Sequence, residues 1–207
     1  MLPISSIIPL YDSSRHLPNI PPRWHHYRTR RLYGLPAYLA DWLFNSGSLT
    51  RRLRLACTNP GTFRVQVLRQ GWNRPGRDET QVLQLQSGVW VWVREVQILG
   101  NDRAWVFART LIPAATLRGR GQRLTQLGAR PLGEVLFTDP GVHREPVEIA
   151  RILPGQRLHQ SAFAGLNEPS DAIWGRRSIF RIDGNPLLVC ELFLPDLPAF
   201  APGTHSD

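Results

Sequence analysis

Val89-Trp90-Val91-Trp92-Val93-Arg94-Glu95-Val96-Gln97-Ile98-Leu99 and Ala104-Trp105-Val106-Phe107-Ala108-Arg109-Thr110-Leu111-Ile112 flank Gly100-Asn101-Asp102-Arg103. Both runs are rich in β-branched and aromatic residues and the spacer carries turn chemistry, so the pair reads as a long β-hairpin. Strand side chains alternate between faces, which sets Arg94 on the face of Trp90, Trp92, Val96 and Ile98. With Asn101-Asp102 as a two-residue turn, Arg94 is expected directly opposite Arg109. Like charges so placed repel, and an ionised group taken out of water is costly unless something offsets it. A small carboxylate ligand between two guanidinium forks is the natural remedy.

Working outward, Leu187-Leu188-Val189-Cys190-Glu191-Leu192-Phe193-Leu194 is a second apolar strand carrying a charge, with Glu191 on the face of Leu187, Val189 and Phe193. It pairs with residues 179–182 around Asp183-Gly184-Asn185-Pro186. An ion pair of Glu191 with Arg94 or Arg109 would still leave one positive charge over. Residues 62–71 and 143–152 alternate as further strands. Leu39, Trp42 and Leu43 stand at helical spacing after Pro36, and Ser48 is a good cap for a second helix through Leu49, Leu53 and Leu55. Pro131 suits the start of another short helix. The first backbone N–H groups of such helices, Leu49 and Leu132 included, have no partner within the helix and are available to an anion. Residues 72–80 read as a charged turn, 118–127 as a polar surface segment, and 153–173 as an irregular insertion. The expectation is a single-domain α+β fold: about six antiparallel strands, with helices and flap segments over one face. Residues 1–35 form a loose arm, 36–196 the domain and 197–207 a loose tail.

The chain has 207 residues, 42% of them hydrophobic, enough for one sizeable core. Its net charge of +9 comes from 25 basic residues that are all Arg, which looks like compositional drift, so no nucleic-acid partner is expected. The basic, aromatic segment Arg23 to Arg31 and the Arg118-Gly119-Arg120-Gly121 stretch read as solvated surface for the same reason. Two cysteines are too few for a disulfide framework, and neither a signal peptide nor a membrane span is present, so a cytoplasmic protein is expected. Metal-ligand clusters, phosphate-binding glycine loops and nucleophile elbows are also missing from the sequence.

The segments Gly47-Ser48-Leu49-Thr50, Val93-Arg94-Glu95-Val96, Phe107-Ala108-Arg109-Thr110-Leu111, Gly128-Ala129-Arg130-Pro131-Leu132-Gly133, Trp174-Gly175-Arg176-Arg177-Ser178 and Pro186 to Pro195 occur in an order that resembles the chorismate pyruvate-lyase family. The resemblance spans roughly residues 36–196. It implies a cofactor-free enzyme that eliminates pyruvate from chorismate and leaves 4-hydroxybenzoate for ubiquinone biosynthesis. A monomer is expected. By motif, the ligand-bracketing pair of the family falls on Arg94 and Glu191, which are the expected catalytic residues. The family's two ligand-binding backbone amides fall on Leu49 and Leu132, and Arg109 matches a second arginine that assists substrate entry or holds the enolpyruvyl carboxylate. The fold also resembles effector-binding domains of bacterial transcription regulators, a non-catalytic alternative. Such a regulator needs a winged helix-turn-helix of about 60 to 70 residues, more than precedes Pro36.

Overall fold

A computed structural model describes residues 20–26, 34–167 and 171–200. Much of the expected arm (1–19 and 27–33) and tail (201–207) lies outside the described residues, as do residues 168–170 of the insertion.

The chain forms one antiparallel sheet from strands β1 (His25–His26), β2 (Arg64–Asn73), β3 (Val91–Gly100), β4 (Arg103–Pro113), β5 (Val142–Arg144), β6 (Glu148–Ile152), β7 (Ile173–Ile182) and β8 (Asn185–Phe193). Their order is β1-β6-β7-β8-β4-β3-β2, with β5 also on β7. The α+β class stands. Among the described residues, eight strands replace the expected six or so because Pro146 divides the 143–152 run into β5 and β6 and because His25–His26 pairs with β6.

Helices α1 (Ala37–Phe44), α2 (Leu49–Ala56) and α4 (Leu132–Leu136), with a 3-10 helix over Gly119–Gln126, cover one face. α1 buries Leu39, Trp42 and Leu43 against it. The other face carries α3 (Arg77–Val82) and α5 (Arg157–Ala162), formed where the sequence suggested a turn and an irregular insertion. Leu83 packs on Val93, Leu111 and Leu188, while Ala162 and Phe163 pack on Phe107 and Leu192. Part of the presumed loose tail is docked as well. Leu197 is buried, the Trp42 indole donates to the Pro198 carbonyl at 3.0 Å, and Phe200 meets Trp42 edge-on.

The central hairpin departs from the expected register. Asn101 and Asp102, at φ 50° and 60°, form the turn, and Gly100 pairs with Arg103. Beyond it a β-bulge intervenes: Leu99 pairs with Ala104 but Ile98 with Val106, leaving Trp105 as the extra residue. Gly100 makes room for it, since a Cβ there would fall 2.2 Å from the Trp105 ring. Trp105 and Val106 consequently enter the same core, and every later residue of β4 changes face relative to an unbulged hairpin. Arg94 therefore opposes Thr110, and Arg109 opposes Glu95.

Candidate active site

Arg94 points from β3 to the helix-covered face and is 3% exposed. Its Nη2 donates to the carbonyls of Gly128 (2.9 Å) and Arg130 (3.1 Å), whereas its Nε is buried with no hydrogen-bond partner. Among the described residues it forms no ion pair. Burial pushes its pKa down to about 10, still a cation at neutral pH. A cation in this condition is costly until an anion arrives.

Arg94 borders a cavity between sheet and helices. Its floor is Arg94, Val96, Thr110, Val189 and Glu191, and its roof is Leu49 and Thr50 of α2 with Pro131, Leu132 and Gly133 of α4. The roof helices start over the cavity for local reasons. Ser48 Oγ accepts from the Arg51 N–H at 3.3 Å, and Pro131, extended at φ −63° and ψ 131°, precedes α4. This leaves the first-turn amides of Leu49 and Leu132 without helical acceptors. The two helices touch closely, because a Cβ on Gly133 would lie 2.9 Å from Thr50 Oγ1. Arg54 and Glu134 bridge them on the outside at 2.5 Å.

Glu191 stands across the cavity on β8. Its Oε2 accepts from Arg176 Nε at 2.6 Å, a pair set by the β7–β8 hairpin, in which Arg176 lies opposite Glu191. Arg176 is 1% exposed and its Nη1 donates to the carbonyls of Trp42 and Asn45, both at 2.8 Å, tying the end of α1 to the sheet. Thus Glu191 does form an ion pair, but with neither arginine considered from sequence.

The structure brings Leu49, Arg94, Leu132 and Glu191 together and excludes Arg109. The bulge turns Arg109 to the opposite face, where its Nε and Nη1 bond Glu79 (2.6 Å) and Glu95 (2.5 Å). Burial alone would lower the Arg109 pKa, but the two carboxylates raise it above its ordinary value. Burial likewise works to raise Glu79, and the Arg109 hydrogen bonds and charge overcome it and hold the carboxyl below its ordinary value. A larger cavity of about 360 Å3 lies on that face, lined by Glu79, Glu95 and Arg109, and Arg69, 3.1 Å from Glu95, supplies the second cation for the two carboxylates.

Glu79, Glu95 and Arg176 were missed from sequence. Alternation places Glu95 opposite in face to Arg94, and the hairpin around Asp183-Gly184 places Arg176 across from Glu191, so both carried a signal. Glu79 sat in a segment that gave none.

A single-domain α+β protein whose open antiparallel sheet and helical roof enclose a cavity, with a buried cation that has no ion pair among the described residues, is the class that fold and site define. The family described as chorismate lyase matches residues 23–200, and the chain belongs to it. A probable chorismate pyruvate-lyase of Methylococcus capsulatus is 45% identical over 157 residues, 76% of this chain and 94% of that protein. One from Pseudomonas aeruginosa is 41% identical over 170 residues, 82% and 90% of the two chains. The chorismate pyruvate-lyase of Pectobacterium atrosepticum is 36% identical over 166 residues, 80% and 82%. Among solved structures, the effector domain of PhnF from Mycobacterium smegmatis superposes with a TM-score of 0.55 at 16% identity, covering 79% of this chain and 98% of that one. That likeness concerns the fold alone.

Proposed function

We propose that this chain is a chorismate lyase that works in the cavity between Arg94 and Glu191, eliminating pyruvate from chorismate to give 4-hydroxybenzoate. The observation that carries the site is Arg94, a buried guanidinium with an idle Nε and, among the described residues, no acid partner, beside the helix-start amides of Leu49 and Leu132. These groups suit the ring carboxylate, through charge-assisted hydrogen bonds from Arg94 and the N–H groups of Leu49 and Leu132. Glu191 then meets the opposite end of the ring, where the hydroxyl stands. There it accepts from the hydroxyl or takes the hydrogen of the same carbon. Loss of that hydrogen forms a new ring double bond as the adjacent carbon–oxygen bond breaks. The ring becomes aromatic, and the departing enolpyruvate gains a proton at its methylene carbon to become pyruvate. Arg176 fixes one oxygen of Glu191 and so aims the other. Holding the reactant in one geometry, shielded from water, is the protein's main contribution.

The cavity encloses only about 40 Å3. A cavity that takes benzene measures roughly 150 Å3, so α2 or α4 has to move for a ligand to enter, and product departs slowly past the same roof. The reading includes a cytoplasmic monomer without a nucleic-acid partner, and it is compatible with the lack, among the described residues, of any helix long and apolar enough to cross a membrane.

The test is purified protein with chorismate, in buffer without metal or nucleotide, followed by 4-hydroxybenzoate absorbance and a separate pyruvate assay. Equal amounts of both products are expected. Binding of 4-hydroxybenzoate with chorismate left intact would mean a non-catalytic carboxylate-binding domain instead.

A further inference from the structure

Chorismate carries two carboxylates, one on the ring and one on the enolpyruvyl ether, which is attached next to the hydroxyl-bearing carbon. The cavity as described provides for the first alone, and Arg109 lies across the sheet. A second cation is required near Glu191, where the ether would project.

Besides Arg94, two arginines lie near the Glu191 end of the cavity, Arg144 and Arg176. Arg176 is committed to Glu191 and to the carbonyls that follow α1. Arg144, like Arg94, forms no ion pair among the described residues. It lies on β5 opposite Phe180, a wall of the cavity, with its guanidinium carbon 5.3 Å from the centre of that ring. Its Nε donates to Ser178 Oγ and its Nη1 to the Ser46 carbonyl, each at 3.1 Å. The other terminal nitrogen has no such bond among the described residues. Arg144 and Arg176 donate to consecutive carbonyls, Ser46 and Asn45, so Arg144 stands beside the arginine that holds Glu191; burial lowers its pKa. Ser46 leads into the cap of α2, so Arg144 stands where the roof meets the sheet.

We propose that Arg144 receives the enolpyruvyl carboxylate of chorismate, completing a site in which each substrate carboxylate meets its own unpaired arginine. This rests on the chorismate lyase reading above. Arg144 is then a substrate-selecting contact: it binds the part that leaves as pyruvate and makes no contact with 4-hydroxybenzoate. Arg94 serves substrate and product alike.

The two ligands separate these roles. In Arg144→Gln, KM for chorismate should rise roughly ten- to hundredfold, the span expected for loss of one charged hydrogen-bonded contact. The dissociation constant of 4-hydroxybenzoate should stay within about twofold of wild type, which also reports an intact fold. Arg144→Lys, keeping the charge without the fork, should give an intermediate KM and the same product affinity. An unchanged chorismate KM in Arg144→Gln overturns the proposal, as does a parallel loss of substrate and product affinity in both variants. Should wild-type protein neither bind 4-hydroxybenzoate nor turn over chorismate, the broader functional reading fails first, and that outcome is distinct.

Discussion

Arg94 and Arg109 are both 3% exposed, yet their surroundings make them opposites. Arg109 bridges two buried carboxylates, the second shared with Arg69, whereas Arg94 has carbonyl acceptors and, among the described residues, no acid. Removing a partner from a buried ion pair strands the remaining charges, at a cost of about 3–5 kcal/mol. Removing an unpaired cation relieves a desolvation cost that offsets its two lost carbonyl bonds, so the net change is less than about 1 kcal/mol. Arg109→Met should therefore unfold at markedly lower temperature and still gain stability when 4-hydroxybenzoate is added. Arg94→Met should unfold near the wild-type temperature and gain nothing. Thermal unfolding with and without product measures both, and a product-induced gain that survives in Arg94→Met would remove Arg94 from the site.

At the scale of elements, the bulge at Trp105 decides which arginine faces the roofed cavity. Its local support is the absent side chain of Gly100 beneath the Trp105 ring. Gly100→Ala overpacks that contact, typically by about 1–3 kcal/mol, and for a chain of this size each kcal/mol lowers the midpoint by about 2–4 °C. A midpoint several degrees down is expected; an unchanged one would show that Gly100 does not pin the bulge. The same bulge explains what sequence could and could not disclose. The face of Arg94 follows from alternation along its own strand. The face of Arg109 depends on strand pairing, and Ala104-Trp105-Val106-Phe107 is apolar on both sides, so it carries no phase that would reveal an extra residue. β7 and β8 have no such interruption, and there the turn at Asp183-Gly184 sets Arg176 against Glu191 in plain register. The six-residue helices α3 and α5 are held chiefly by tertiary contacts, with Gly76 N–H donating to Glu79 Oε2 at 2.7 Å as a local aid. The carbonyls that receive Arg94 lie in a loop whose path only the folded chain defines.

Across the whole molecule, the sheet separates two electrostatic regimes. On the roofed face Arg94 and Arg144 form no ion pair among the described residues. The other face pairs its buried charges, Arg109 with Glu79 and Glu95, and Arg177 with Glu148 and Asp78. Stability should accordingly respond to acid through the second face. The folded pKa of Glu79 lies below its ordinary 4.5, so its contribution is complete above that pH and is lost as pH falls through the lower folded value. Asp78, raised chiefly by burial, runs the other way and blunts the effect. Arg109→Met reverses the sign at Glu79: with the guanidinium gone, burial dominates and raises the carboxyl above its unfolded value, so protonation now favours the folded state. The gap in unfolding midpoint between wild type and Arg109→Met should be widest near pH 7 and narrow as pH drops through 5 and below. At pH 7 the added stability from 4-hydroxybenzoate should be equal in the two proteins, because the proposed site lies on the other side of the sheet. A gap that stays constant with pH would show that the carboxylates around Arg109 are not what the residue stabilises.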